Sequence, residues 1–219
     1  MIRVESFFSR ADLEEIEAAV HEAEGTTAGE IVPFVVSHSD HYEAAAWKGA
    51  TLGAFLAVVA AAAVHQLGGF WGGFILAWIL LPALAGGAVG FATVALVRPL
   101  RLWLAGAAAV DRRVHQRATA AFVENEVFRT RERTGILIFL SLFERRVIVL
   151  GDSGINARVQ QHEWDAVVAT IVEGTRSGQP GAAVASAIRR CGELLTRRGV
   201  AVRPDDTDEL SDQLRLREE

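Results

Sequence analysis

The feature that most constrains this chain is a long stretch without charge. From Gly49 to Val97 there is no Asp, Glu, Lys or Arg, although 22% of all residues are charged. Helices of soluble proteins keep a polar face, and this stretch offers none. A helix over Gly49–Leu67 would be about 28 Å long, and one over Phe74–Val97 would span a hydrocarbon core of roughly 30 Å with some tilt. The stretch therefore predicts two transmembrane helices joined by the turn Gly68–Gly73.

Basic residues flank this stretch but are missing from the turn inside it. Lys48 precedes the first predicted span, and four arginines follow the second: Arg98, Arg101, Arg112 and Arg113. Lys and Arg are enriched on the cytoplasmic side of membrane spans. We therefore expect both chain termini in the cytoplasm and the turn Gly68–Gly73 outside. Pro99–Gly106 is expected to be a short segment at the membrane interface, because Pro99 ends the second span.

Three small residues lie close together on the second predicted span. Gly86, Gly87 and Gly90 fall within one or two helical turns of one another. Small residues let the backbones of membrane helices approach closely. We expect these glycines to be transmembrane contact residues. Two spans leave much helix surface uncovered, which predicts a homo-oligomer held together through the transmembrane hairpin, with membrane lipid around it.

Outside the apolar stretch, helical and strand patterns alternate. Ser9 and Asp12 form the start of a first helix, and Glu30–His38 is a short buried strand. A long amphipathic helix, two apolar strands separated by Glu144 and Arg145, and two further helices follow the apolar stretch. The first two strands are expected to be parallel and the third antiparallel. The predicted fold class is α/β, a three-layer α/β/α sandwich on a small mixed sheet, interrupted by the two-helix transmembrane hairpin.

The chain thus divides into three parts. Residues 1–45 and 107–200 are expected to form a cytoplasmic α/β domain, and residues 46–106 form the hairpin with its interfacial segment. Residues 201–219 are acidic and lack apolar periodicity, so they are expected to be a disordered tail. The opening residues carry charges where a signal peptide would be apolar, so no signal peptide is expected.

Composition and spacing also argue against several functions. The net charge is −5 and no basic patch is interleaved with aromatics, which argues against nucleic-acid binding. Cys191 is the single cysteine, so no internal disulfide forms, and its apolar helical pattern predicts a packed, inert thiol. The histidines lack metal-ligand spacing, and no glycine-rich phosphate loop follows a strand. No residue is therefore assigned a catalytic role.

The tetrapeptide Gly151–Gly154, GDSG, matches the residues around the nucleophile of trypsin-like proteases. Such a protease needs two β-barrels and a Ser, His and Asp from separate strands, whereas about three strands are expected here. Ser153 is therefore not predicted to be a nucleophile. Two interpretations of Asp152 remain open. It caps the turn or helix that follows, or it presents a carboxylate to Ca²⁺ or Mg²⁺.

Strand direction indicates which residues accompany Asp152. Asp152 ends the antiparallel third strand, so it is expected at the same edge of the sheet as Glu30, which starts the first strand. Thr27 and Thr134 lie near that edge as well. We therefore take Glu30, Asp152, Thr27, Thr134 and Ser153 as candidate ligand-binding residues, with Asp152 and Glu30 as candidate metal ligands.

Three segments resemble one known family. The stretches TTAGEIVPFVV (26–36), RTGILIFLSLFERRVIVLGDSGINARVQQHEWDAVV (133–168) and AIRRCGELL (187–195) resemble the TPM domain family. Its members include plant and cyanobacterial proteins linked to photosystem II repair and many bacterial membrane proteins. The resemblance implies an α/β/α sandwich, and acid phosphatase activity and calcium binding are ascribed to some members. The hairpin inside the domain resembles a bacterial subgroup and implies the bacterial cytoplasmic (inner) membrane.

Two functions follow from these expectations. In the first, the cytoplasmic TPM-like domain of a multi-pass membrane protein binds a ligand or a protein partner, such as another membrane protein, in membrane-protein maintenance or repair. In the alternative, the domain is a metal-assisted phosphatase that acts from the Glu30/Asp152 edge. The sequence contains no complete catalytic set, which favours the first.

Overall fold

A computed structural model of the chain describes residues 7–68, 75–200, 202 and 210–217. It divides into two compact units. We call Met1–Ser39 together with Arg113–Glu219 the α/β unit, and Asp40–Arg112 the hairpin unit. The hairpin unit extends six residues beyond the predicted 46–106 at each end, and the α/β unit also includes the predicted tail, 201–219. The predicted outer turn falls almost wholly on residues 69–74, which lie outside the described residues.

The helices follow the order that the sequence predicts. They are α1 (Arg10–Glu24), α2 (Glu43–Gly68), α3 (Ile75–Leu96), α4 (Arg98–Ala105), α5 (Ala107–Glu124), α6 (Ser153–Asn156), α7 (Asp165–Arg176) and α8 (Pro180–Arg197), with a 3₁₀ turn at Gln161–Trp164. At the start of α1, the Ser9 hydroxyl accepts from the Asp12 N–H, and the Asp12 carboxylate accepts from the Ser9 N–H. Two otherwise unpaired donors are thus satisfied, as the capping pattern predicts.

The sheet has four strands in the order β3-β2-β1-β4. They are β1 (Glu30–Val36), β2 (Gly135–Ser141), β3 (Arg146–Gly151) and β4 (Arg215–Arg217). β1 and β2 are parallel, and β2 and β3 are antiparallel. Both strand directions agree with the sequence prediction. The described residues therefore form a mixed α/β fold on a small mixed sheet.

The C-terminal tail differs in part from the prediction of disorder. Arg215–Arg217 forms β4 and pairs parallel to β1, with Phe34 opposite Arg215. The Arg215 guanidinium donates to the Asn125 side chain at 3.0 Å, and Arg217 forms an ion pair with Glu124. Composition does not reveal such a strand, because three residues become ordered only when the edge of β1 supplies hydrogen bonds. Residues 201, 203–209 and 218–219 lie outside the described residues.

Both faces of the sheet are covered by buried side chains. Ile31, Val35 and Ile138 belong to the main core together with apolar side chains of α1, α7 and α8. Residues of the opposite parity face the other way. Among them Phe34 and Phe139 are buried and stack with their ring centroids 6.0 Å apart. β1 and β2 are therefore buried along their whole length, which accounts for their continuous apolar runs.

The hairpin unit contains two helices that are long and apolar enough to cross a membrane, Glu43–Gly68 and Leu76–Leu96. Large apolar side chains cover their outer surface. Leu67 is 90% exposed, and Leu76 and Leu84 are each 71% exposed. After α3, Pro99 lies in the first turn of the short helix α4, where its missing N–H costs nothing. A short helix at this place agrees with the predicted separate segment.

Glycines bring α2 and α3 into backbone contact. A Cβ atom added to Gly86 would lie 2.4 Å from the Gly53 carbonyl oxygen, and one added to Gly90 would lie 2.3 Å from the Gly49 oxygen. A Cβ atom added to Gly87 would lie 3.6 Å from the Ala54 Cβ atom, an ordinary contact distance. Gly86, Gly87 and Gly90 are thus helix contact residues, and the helix that they meet is the other span of the same chain. An association between copies has to use a different part of the helix surface.

Candidate functional site

Residues at the ends of three adjacent strands line up at one end of the sheet. Glu30 pairs with Gly135 across β1 and β2, and the N–H of Asp152, just after β3, donates to the Gly135 carbonyl at 2.9 Å. Residues opposite one another across a sheet point to the same face. Glu30 and Asp152 therefore flank Gly135 on the face that also carries Phe34 and Phe139. The structure brings the two candidate carboxylates to one end of the sheet, as the strand directions predict.

Asp152 is held in place by the turn that follows it. Its side chain is 7% exposed, and its Oδ1 accepts from the Ser153 N–H at 2.6 Å at the start of α6. Arg133 Nε lies 2.8 Å from Oδ2. Within the described part of the chain, however, Oδ2 accepts no aligned hydrogen bond. The buried Oδ2 is therefore paired with the Arg133 guanidinium at ion-pair distance rather than through an aligned hydrogen bond.

Close packing explains why the last residue of GDSG, Gly154, is a glycine. The Gly154 N–H donates to the Arg133 carbonyl at 3.0 Å, and a Cβ atom there would lie 2.3 Å from the Glu132 carbonyl oxygen. The turn therefore packs directly against the loop before β2. Arg133 itself has φ of +60°, in the left-handed region. Together the two backbones hold the Arg133 guanidinium beside Asp152.

Glu30 is anchored by the C-terminal tail. It is 7% exposed, its N–H donates to the Thr134 carbonyl, and its Oε2 accepts from the Leu210 N–H at 3.3 Å. The neighbouring Glu24 accepts from the Ile31 N–H at 2.8 Å. Sequence reasoning did not single out Glu24 or Arg133. Arg133 lies directly before Thr134 and could have been found from the same edge argument, whereas Glu24 carries no comparable signal.

The remaining candidates serve the backbone. The Thr27 hydroxyl donates to the Val200 carbonyl at 2.6 Å and accepts from the Gly29 N–H. Thr134 is buried, and its N–H donates to the Thr130 hydroxyl at 2.8 Å. Ser153 is exposed, and no hydrogen bond in the described structure joins its hydroxyl to a histidine. Thr27 and Thr134 therefore stabilise the backbone just before β1 and β2. Ser153 has no activating base among the described residues.

The chemistry open to this end of the sheet is that of the Asp152–Arg133 ion pair, with the Glu30 carboxylate at the start of β1, two strands away. Within residues 7–68, 75–200, 202 and 210–217, no three or more His, Cys, Asp or Glu side chains cluster as a metal site requires. Ca²⁺ takes six to eight oxygen ligands, more than Glu30 and Asp152 supply. Cys191 lies elsewhere, fully buried, and burial raises the pKa of its thiol, so it is not a nucleophile. The geometry therefore offers a partner the half-exposed Arg133 guanidinium, which is held beside the buried Asp152 carboxylate.

Replacing Asp152 by alanine is expected to lower the free energy of unfolding by about 1 kcal/mol, because the N-cap acceptor of α6 is lost. Asn at position 152 is expected to restore most of this loss, since it caps equally well. Ser153→Ala is the neighbouring control and should remain within about 0.5 kcal/mol of the native chain. Thermal unfolding in mild detergent measures all three. A loss with Asp152→Asn as large as with Asp152→Ala would assign the stabilisation to the Arg133 ion pair instead.

Comparison with known proteins gives a fold and no function. No protein-family model matches the chain, and no curated protein matches it. The chain is similar to the NMR structure of the BA42 protein from the psychrophilic bacterium Bizionia argentinensis. The match covers 99% of this chain and 100% of that one, with a TM-score of 0.60 and 18% sequence identity. At this identity the likeness concerns the fold alone.

Proposed function

We propose that this chain is a membrane-anchored, TPM-like binding protein. Its α/β unit binds a protein partner or ligand through the end of the sheet that carries Glu30 and Asp152, in the maintenance or repair of membrane proteins. The observation that carries this proposal is the ion pair at this end, in which the buried Asp152 carboxylate holds an Arg133 side chain that is 52% exposed and can meet a partner. A carboxylate or carbonyl group of the partner would accept hydrogen bonds from this guanidinium.

Binding fits this end of the sheet better than catalysis. Asp152 also accepts the Ser153 N–H, and Glu30 accepts the Leu210 N–H, so both carboxylates are part of the fold. A general base or nucleophile has to be within reach of a substrate atom and activated by a neighbour. Ser153 does not meet the second requirement, because its exposed hydroxyl has no histidine partner among the described residues.

The test is site-specific photo-crosslinking of the full chain in native membranes. A photoreactive amino acid replaces Ser153, which is exposed and adjacent to Asp152, and Arg158 is the matched exposed control site. We expect a discrete cross-linked product at Ser153 and none at Arg158. Asp152→Asn, which retains the cap, is expected to reduce the product at least tenfold. An unchanged product with Asp152→Asn would remove Asp152 from the binding surface.

The alternative function is a metal-assisted phosphatase at the same carboxylates, favoured only by their pairing at one end of the sheet. Hydrolysis of an aryl phosphate by the full chain, measured with and without Mg²⁺ or Ca²⁺, separates the two functions. Metal-dependent hydrolysis that disappears with Asp152→Asn but survives Ser153→Ala would replace the binding function with the enzymatic one. We expect no metal-dependent hydrolysis.

We further propose the arrangement of the chain in the bacterial cytoplasmic membrane. α2 and α3 span it, and both termini and the α/β unit are cytoplasmic, supported by Lys48 and the arginines after α3. The exposed leucines of both helices support contact with lipid. In this proposal the α/β unit is a three-layer sandwich. The Arg117 guanidinium of α5, 5.7 Å from the Phe34 ring centroid, supports helical cover on the second face.

The expected topology can be read from thiol labelling of intact cells. Cysteine is introduced in Phe70→Cys or Asp206→Cys, both outside the described residues. An impermeant maleimide should label Phe70→Cys and leave Asp206→Cys unlabelled until the cells are opened. Cys191 adds no background, because it is buried and burial raises the pKa of its thiol. Labelling of Asp206→Cys alone on intact cells would show the opposite orientation, with the C-terminus outside the cell.

A homo-oligomer through the hairpin also remains part of the proposal. The glycines are used within the chain, so copies would have to meet through the leucine-rich outer surface of α2 and α3. Light scattering of the full chain in mild detergent is expected to give more than one copy. A monomer there would contradict this part alone and would leave the binding surface at Asp152 in place.

A further inference from the structure

A cavity of the α/β unit lies at the opposite end of the sheet from Asp152. It measures about 410 Å³ and is open to solvent between the end of β2, the start of β3 and α7. Apolar side chains form much of its wall: Leu140, Leu142, Val147, Val172 and Phe7. Three arginines, Arg145, Arg146 and Arg176, also line it, together with the hydroxyl residues Ser141 and Thr175. An apolar cavity bordered by guanidinium groups can accept a ligand with an apolar body and an anionic head.

Arg145 and Arg176 are exposed, and neither forms an ion pair or hydrogen bond with a side chain of the described chain. Their concentration here contrasts with the net charge of −5 of the whole chain. Arginine matches carboxylate and phosphate geometry with two parallel hydrogen bonds. The guanidinium groups of Arg145 and Arg176 at the cavity are therefore available to bind an anion.

The backbone at Arg145 adds an independent observation. Arg145 has φ of +52°, in the left-handed region where the tight turn between β2 and β3 favours glycine or asparagine. An arginine at this position is unfavourable for the turn itself. Unfavourable backbone conformations of this kind are found at functional sites, where the side chain is needed.

The acidic residues next to these arginines do not neutralise them. Glu144 is 4% exposed, and its carboxylate accepts from the Ser39 N–H at 3.0 Å and from the Ser141 hydroxyl. Glu173 lies one helical turn before Arg176, and no ion pair joins the two side chains in the described structure. Both carboxylates leave Arg145 and Arg176 available at the mouth of the cavity.

We propose that this cavity binds an anionic amphiphile. The hydrocarbon chain packs against Leu140, Leu142, Val147 and Val172, and its carboxylate or phosphate is held by Arg145 and Arg176. At roughly 30 Å³ per water-sized group, the cavity accommodates about a dozen groups, which matches a single medium-length chain. The head group belongs either to a free fatty acid or to a phospholipid. This site is separate from the Glu30/Asp152 end, so its failure would leave the proposed function unaffected.

The test is photolabelling of the full chain in nanodiscs of zwitterionic lipid with a diazirine analogue of decanoate. Peptide mapping is expected to place the label on the β2–β3 hairpin and α7. Unlabelled decanoate and decyl phosphate should compete, whereas decanol should compete at least tenfold less. Stronger competition by decanoate identifies a fatty acid as the source, and stronger competition by decyl phosphate identifies a phospholipid.

Variants link the binding to the arginines. Arg145→Gly combined with Arg176→Gln is expected to reduce labelling at least tenfold, and Arg158→Gln, an exposed arginine outside the cavity, should leave it unchanged. Arg145→Gly alone should raise the thermal unfolding temperature while it lowers labelling, because glycine suits the turn. The proposal is overturned if the double variant labels like the native chain, if decanol competes as well as decanoate, or if the label maps elsewhere.

Discussion

Gly135→Ala is expected to destabilise the α/β unit by about 3 kcal/mol or more, enough to unfold a marginal domain. A Cβ atom on Gly135 would lie 1.8 Å from the Val127 carbonyl oxygen and 2.9 Å from its carbonyl carbon. Val127 is fully buried, so the loop before β2 cannot move aside without opening the core. Thermal unfolding of the full chain in mild detergent, followed by circular dichroism, measures the loss.

Gly25→Ala is the matched control for this substitution. Gly25 ends α1 with φ of −61°, and its added Cβ would lie at an ordinary distance of 3.4 Å from the His21 carbonyl oxygen. Alanine at such a position is expected to be neutral or to stabilise by about 0.5 kcal/mol. Equal unfolding temperatures for the two variants would show that the loop packed against Gly135 can move aside at little cost in free energy. The register that aligns Glu30 and Asp152 would then not depend on Gly135.

The second large effect concerns the hairpin. Ala54→Cys with Gly87→Cys is expected to form a disulfide within one chain, because the two Cβ positions are 3.6 Å apart, within the range of disulfide geometry. Adding Gly53→Leu should abolish this bond, since a Cβ at Gly53 would lie 2.3 Å from the Gly86 carbonyl oxygen and would force the helices apart. Non-reducing electrophoresis before and after mild oxidation gives the result.

Ala60→Leu is the control for the added volume, because Ala60 lies on the exposed surface of α2. The disulfide should form in that background as readily as without it. A cross-linked dimer in place of the intrachain bond would mean that the Gly87 surface meets a second copy. Persistence of the intrachain bond with Gly53→Leu would show that the close glycine contact is not required for the hairpin.

Local chemistry accounts for what was predictable at the start of α1 and in the apolar stretch. The capping pair Ser9 and Asp12 depends on residues three positions apart, and the apolar stretch depends on composition alone. Neither needs a partner from elsewhere in the chain. Strand directions were also predictable, because a helical connection leads to a parallel neighbour and a short turn to an antiparallel one. These directions brought Glu30 and Asp152 to one end of the sheet.

The sequence by itself therefore determined the apolar hairpin, the first helix start, the mixed sheet and the pairing of the two carboxylates. The tertiary structure decided the rest: the ion pair of Arg133 with Asp152, the strand Arg215–Arg217, the use of Gly86 within one chain, and the cavity beside Arg145 and Arg176. Each of these joins segments through packing, or forms only once a distant segment supplies its partner. Such contacts depend on distances that no local pattern encodes, because they arise only when the whole chain has folded.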